Sequence, residues 1–443
     1  MRGAIRMSRV KKTGASLTAA VMLGTSLVGC GGGSTGVSGP DKAADKAVDT
    51  AKPSASADKP VELTFWDGAW NDAKTPGIVK KFEEKYPNIK IKVQSNPDNG
   101  MSDKYLIALK QKNGPDLVNM AVDWITPFAA VGGLMPLDDY IKKDNVDLKD
   151  FYDGAISVAK VNDKVYALPY RTETHGLIYN KKLFEAAGID AAKGPENWTQ
   201  VMEQAQKLTK GDVYGIALPG TNVGNLTTQL FNMIMSNGGA ILNSDNTKSM
   251  LTEPAAVEMV KLYVELYTKY KVVPNSMLQN DGVANRNLFS NDKIGMYMTG
   301  IYDIDPIKQA NANAQMGVAM VPANKNRKTI LGGWAVGVTT SSKNPDAAWK
   351  FINFITQPDI SAEYSVTFSS RKSAAGNPKY QDPLAKPLLE ALAYAQPLPQ
   401  IPQWTQIKQI VFDNVQLALS GKASPEDAMK QASKAIDDLL AKK

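Results

Sequence analysis

The chain has 443 residues, with 51 basic and 44 acidic side chains, one cysteine and one histidine. Its formal charge of +7 is carried mostly by the start of the chain: five cations stand there without an acid, and 46 basic against 44 acidic residues remain, which is no footprint for nucleic acid. A single cysteine excludes an internal disulfide and a cysteine-built metal site, and a single histidine excludes a two-histidine zinc site, so no metal and no cofactor are expected.

In chain order, Arg2, Arg6, Arg9, Lys11 and Lys12 precede an apolar stretch from Ala15 to Val28. A charged head and a short apolar run are what a secretory signal needs, and the run is too short for a permanent membrane span. It ends in Leu27-Val28-Gly29-Cys30, small residues before a cysteine, which resembles a bacterial lipobox; that resemblance implies cleavage of residues 1–29 and lipid on the Cys30 sulfur. Residues 30–60 begin Gly31-Gly32-Gly33-Ser34 and continue in Lys, Asp, Ala and Pro, a composition that reads as a flexible tether. About 380 residues remain, enough for two domains.

Val61 to Trp66 alternates as a strand. Thr75-Pro76 predicts a helix start, with Thr as N-cap and Pro at the first position. Ile78, Phe82 and Tyr86 give that helix one apolar face, and Pro87 stops it. Ile89–Val93 alternates as a second strand, an amphipathic helix follows over 102–112, and Gly114-Pro115 turns into a short apolar strand at 116–120. This order predicts an open, mostly parallel sheet covered by helices. Later come a strand at 214–218, a long helix at 254–269, a glycine-containing strand at 331–338, a helix capped by Asn344-Pro345, and a last helix opened by Ser424-Pro425-Glu426-Asp427, whose acids suit the dipole.

Several of these segments together resemble family 1 extracellular solute-binding proteins of ABC transporters, the maltose-binding type. The residues are Phe82 to Val93, Gly114-Pro115-Asp116-Leu117-Val118, Gly132 to Asp138, Val165 to Pro169, Leu177-Ile178-Tyr179-Asn180-Lys181 with Leu183, Phe184 and Gly188, Trp198-Thr199, Leu208-Thr209, Ser342 to Ile352, and Ile401-Pro402-Gln403. The resemblance implies an α/β, two-lobed periplasmic-binding-protein fold (type II), each lobe a mostly parallel sheet with flanking helices and the ligand cleft between them. The chain would cross near 171–175, 330–334 and 369–371, so the first lobe is expected from 61–171 and 335–370, and the second from 172–334 and 371–443. Hinge closure around the ligand is the implied mechanism.

A sugar presents hydroxyl edges and an apolar C–H face, so its site needs carboxylates or amides beside aromatic platforms. Asp67 and Trp70 follow the first strand, and Trp66 there is either a contact or core packing. Asp123 occupies the family's aspartate position or caps the next helix; Trp124 stands where the maltose type has arginine, which puts maltose itself in doubt. Glu173 matches a ligand-binding glutamate at the hinge, or pairs with Arg171. His175 follows as a structural residue or a contact. Asn222 and Asn225 lie in a loop where asparagine also forms turns. Tyr302 stands where the resemblance implies an aromatic platform, with Asp303 beside it. Gly333 and Trp334 fall at the second crossing, where glycine admits ligand close to the backbone. Arg371 and Trp404 fall near the last crossing, and Trp404 equally reads as core.

The expected function is capture of a sugar or oligosaccharide by a monomer held to the membrane through Cys30. ABC permease subunits with a cytoplasmic ATPase are the expected partners. A carboxylate-dependent enzyme on polysaccharide is the rival, but the adjacent pairs Asp138-Asp139 and Asp437-Asp438 read as solvated surface, and no Gly-x-Ser-x-Gly, Walker or His-Glu-x-x-His pattern occurs. The same fold binding a polyamine or a peptide-like solute, or serving a surface sensor, completes the alternatives.

Overall fold

The computed structural model describes residues 60–442; the expected signal over 1–29, Cys30 and the expected tether up to residue 59 lie outside the described residues. The strands are β1 Val61–Gly68, β2 Ile89–Asn96, β3 Leu117–Ala121, the short β4 Lys160–Val161 and β5 Lys164–Val165, β6 Leu168–Glu173, β7 Gly176–Asn180, β8 Tyr214–Ala217, β9 Ile294–Thr299, β10 Met316–Met320, β11 Thr329–Ile330, β12 Gly332–Val338, β13 Phe368–Ser369 and β14 Ala395–Gln396.

Two sheets carry the two lobes. A six-stranded sheet runs β13-β6-β12-β3-β1-β2, and a four-stranded sheet runs β10-β7-β9-β8. The β1 alternation turns Leu63 and Phe65 inward, both fully buried. They join Ile78 and Phe82 from the helix Thr75–Lys85, and Phe351 and Ile352 from the helix Pro345–Ile355, in the first core. Full burial of one such side chain favours the fold by about 1.5–3 kcal/mol over leaving it exposed. The second core gathers Trp198, Leu230, Phe231, Val260, Tyr263, Trp404 and Val411. In the helix Pro254–Thr268, Val260, Val264 and Leu266 are buried.

The sheets are mixed rather than mostly parallel. β1 pairs parallel with β2 and β3, and β8 parallel with β9, but β12 is antiparallel to β3 and β6, and β7 to β9 and β10. The reason is connectivity. β12 follows residues of the second lobe, so it begins at the cleft edge of the first sheet and must run against strands that end there. The sheet registers put Glu173 opposite Gly332, so β6 stays in the first sheet through Glu173 and β12 joins it from Gly332. Thr174 and His175 lead into the second sheet, and Leu331 leads back, where its N–H donates to Gln396 of the β11–β14 ribbon.

The helix after β1 also starts differently. Lys74 is its N-cap, and Thr75 is already helical; its hydroxyl donates to Asp67 Oδ2 at 2.6 Å and to the Asn71 carbonyl at 3.0 Å. Ser424 does cap the last helix, accepting from the Asp427 N–H at 3.0 Å.

Candidate functional site

The carboxyl ends of β1 and β3 and the amino end of β12 share one edge of the first sheet, since Trp334 pairs with Ala121. The carboxyl ends of β8 and β9 and the amino end of β7 share the facing edge of the second, where Gly176 pairs with Thr299. Open α/β sheets bind ligands at such edges. A surface hollow lined by Tyr86, Asn88, Lys343 and Pro345 opens instead at the amino ends of β1 and β2, and holds none of the candidate residues.

On the first lobe the edge is an aromatic wall. Trp70 sits in the turn Ala69–Asn71, Trp124 ends the turn after β3, and Trp334 lies on β12. Ring centroids are 4.2 Å apart for Trp70 and Trp334, and 5.3 Å for Trp124 and Trp334. The wall continues through Tyr105, 6.4 Å from Trp124, to Trp66, 5.0 Å from Tyr105, with the Lys104 ammonium 4.7 Å over the Trp66 ring. Arg171 lies behind it, its guanidinium 5.3 Å from the Trp334 ring and 5.9 Å from Trp70. Glycine permits this closeness: a Cβ on Gly332 would meet Glu173 Cγ at 2.8 Å, and one on Gly333, whose φ is +152°, would meet the Arg171 carbonyl at 2.5 Å.

Residues where the chain passes from β6 to β7, and Trp70 beside them, leave polar atoms without partners. Arg171 Nη2 stands 3.2 Å from Glu173 Oε2 as an ion pair, but without hydrogen-bond geometry. Arg171 Nε and Nη1, Glu173 Oε2, Trp70 Nε1 and His175 Nδ1 are buried and unpartnered. A buried polar group left so costs about 1–3 kcal/mol, which a polar ligand would offset. Burial pushes the His175 imidazole below its usual pKa, against the opposing charge of Glu173, so the ring is held neutral. Its backbone N–H donates to Thr329 Oγ1 at 3.3 Å.

Across the cleft, Tyr302 is half-buried, and burial, with the carboxylates of Asp303 and Glu173, raises its pKa and keeps the phenol protonated. Asp123 reaches the other lobe: Oδ2 accepts from Lys408 Nζ at 2.6 Å and from Trp404 Nε1 at 3.2 Å. Asn222 Nδ2 meets Asp98 Oδ2 at 3.3 Å, and Thr126 Oγ1 meets Gln400 Oε1 at 3.4 Å, both also between lobes.

Several sequence candidates do other work. Asp67 is almost fully buried, and its oxygens accept from Gly68 N, Asn71, Thr75, Asn119 and Tyr364, so it anchors the loop and has no room for a ligand. Asp303 accepts from Tyr297 at 2.9 Å, Thr299 at 2.7 Å and Arg286 at 3.0 Å; burial raises its pKa, and these donors oppose the rise. Arg371 is off the cleft: its guanidinium lies 3.8 Å over the Phe151 ring and donates to the carbonyls of Thr356 and Asp147. Asn222 caps the helix Val223–Ser236 through the Asn225 N–H, while Asn225 Oδ1 accepts from Gly282 N. Trp404 is fully buried in the second core, and only its indole N–H touches the cleft contact. The structure thus brings Trp70, Trp124, Glu173, Gly333 and Trp334 together at the first-lobe edge.

Arg171, Lys104 and Lys408 are residues beside the cleft that the sequence reading did not select. Lys408 had a signal: it interrupts the buried stripe Trp404, Ile407, Val411 and Val415, one turn after Trp404. Among the described residues no group of three or more His, Cys, Asp or Glu could hold a metal.

Comparison with known proteins agrees with this architecture. A solute-binding protein of an ABC transporter from Thermotoga lettingae TMO, solved with alpha-D-tagatose, superposes with a TM-score of 0.80 at 28% identity, covering 86% of this chain and 99% of that one. A putative binding protein of Brucella abortus (strain 2308) is 29% identical over 380 residues, 82% of this chain and 89% of that protein. The galactooligosaccharide-binding protein of Bacillus subtilis (strain 168) is 25% identical over 395 residues, 85% of this chain and 89% of that protein. Residues 68–362 match the family described as bacterial extracellular solute-binding protein, and with two lobes meeting at a cleft of strand ends the chain belongs to that family.

Proposed function

We propose that the protein captures a neutral sugar or oligosaccharide between its lobes and delivers it to an ABC permease driven by a cytoplasmic ATPase. The observation that carries this reading is the wall of Trp70, Trp124 and Trp334 with unpartnered donors and an acceptor at its foot. Indole faces suit the C–H face of a pyranose, and mixed donors and acceptors suit hydroxyls, which are both. The main charges at the cleft occur as pairs, Arg171 with Glu173 and Lys408 with Asp123, which favours a neutral solute over a polyamine or a phosphate. The Thermotoga lettingae relative solved with tagatose and the galactooligosaccharide-binding relative support the same class.

In this reading the lobes divide at Thr174–His175, at Leu331 and near Arg371, and hinge there. The protein acts as a monomer outside the cytoplasm, on a tether joined to lipid at Cys30. A glycoside-cleaving enzyme is less well supported, because Asp67 is saturated and Asp123 and Glu173 each face a cation, which leaves no free acid–base pair among them. A surface sensor would share the site and differ only in its partner.

Thermal unfolding against a panel of mono- and oligosaccharides, with polyamines and amino acids as controls, tests the reading. A sugar at a hundred times its dissociation constant is expected to add about 2.7 kcal/mol of stability, and mass analysis is expected to recover it intact. A shift with a polyamine alone would overturn the ligand class, and turnover of the sugar would favour the enzyme.

A further inference from the structure

Asp123 and Lys408 belong to different lobes and are 285 positions apart in the chain, yet their charged atoms stand 2.6 Å apart. Their side chains are only 12% and 11% exposed, and the same carboxylate oxygen also takes the Trp404 indole N–H. Asp123 sits in the turn after β3, packed with the first core through its neighbours Val122 and Trp124. Lys408 sits on the buried face of the helix Trp404–Leu419, within the second core. The two residues are held by separate hydrophobic cores, so this contact ties one lobe directly to the other.

We propose that Asp123, Lys408 and Trp404 form a latch that sets the balance between open and closed lobes. The latch stabilises the closed form and thereby slows release of whatever is bound. In the open form both charges are hydrated. On closing they lose water and recover most of the loss through each other, with the Trp404 N–H also on Asp123 and the Asp98 carboxylate near Lys408, because a buried ion left without its partner is strongly disfavoured. Removing either partner therefore penalises closure and leaves each lobe's own core intact. Asp123 and Lys408 act as positioning residues: they do not hold the solute but fix the geometry in which it is held. A ligand draws on this because its apparent affinity scales with the fraction of the protein that is closed.

The inference deepens the capture reading and rests on it only for its ligand arm. Small-angle X-ray scattering of the full chain without added solute is the first arm, for the wild type, Lys408→Met, Asp123→Asn and the charge-reversed double variant Asp123→Lys with Lys408→Asp. Both single variants are expected to show a larger radius of gyration at unchanged melting cooperativity, and the reversal to move back towards the wild type. Identical scattering from wild type and both single variants overturns the latch. The second arm measures affinity and release rate with the sugar that gives the largest thermal shift. Either single variant is expected to weaken binding about tenfold or more, mostly through faster release. Loss of binding in Asp123→Asn with none in Lys408→Met would make Asp123 a direct ligand contact, and would also overturn the proposal. If no sugar binds the wild type, the sugar reading falls while the scattering arm still decides the latch.

Discussion

Asp67 stands at the end of the first strand, where a carboxylate for a sugar hydroxyl would be sought, yet it binds the chain to itself. Tyr364 donates to it from 297 positions away at 2.7 Å, and Asn119 from the next strand at 2.6 Å. Glu173, by contrast, keeps an oxygen without a hydrogen-bond partner beside the aromatic wall. His175 makes a sharper prediction because it is the only histidine. Burial lowers its pKa in the folded protein from the usual 6.5, so below that pH the unfolded chain takes a proton that the folded chain resists. Its contribution to stability is complete above the unfolded value and is lost as pH falls from there through the lower folded value. His175→Gln is expected to flatten the fall in melting temperature as pH drops below about 6.5. An identical slope in both proteins would mean that the imidazole becomes charged without cost.

Among the elements, the crossing strand β12 is the one most demanding of its residues. Gly333 holds φ at +152° with its would-be Cβ 2.5 Å from the Arg171 carbonyl, and its neighbour Gly332 faces Glu173. Gly333→Ala is expected to cost about 1–3 kcal/mol and to displace Arg171 from the indoles. Urea denaturation measures this, and an unchanged midpoint would show that β12 can retreat. Most elements were legible in the sequence because their signals are local. The period of Ile78 and Phe82 marks a helix, Leu63 and Phe65 mark a strand, and Ser424 marks a cap. The direction of β12 was not legible, because nothing in Gly332–Val338 states from which lobe the strand arrives. The role of Thr75 was misread for a similar reason: its hydroxyl had a buried carboxylate to satisfy, and this outweighed the helix end.

At the scale of the molecule, the chain passes between two sheets with separate cores, and the ion pairs Arg171–Glu173 and Lys408–Asp123 stand where the lobes meet. The proposed lipid attachment at Cys30 belongs to this scale too. Cys30→Ser is expected to move the protein from the membrane fraction to the soluble fraction, with ligand-induced stabilisation unaltered. Retention in the membrane would mean that something other than lipid on Cys30 holds it. The sequence by itself determined the class of molecule, the order of its helices and strands and the stock of aromatic residues at strand ends, because period, caps and ordered family segments act over a few neighbouring residues. It also excluded an internal disulfide and a site built on paired histidines, since the chain has one cysteine and one histidine. Only the tertiary structure decided which polar side chains remain free for a solute. Asp67, Asp123, Asp303 and Arg371 look alike as loop residues. For Asp67, Asp123 and Arg371 partners arrive from distant parts of the chain, whereas Asp303 is held by Tyr297, Thr299 and Arg286 close by in sequence, and a buried charge takes whichever partner the fold brings within reach.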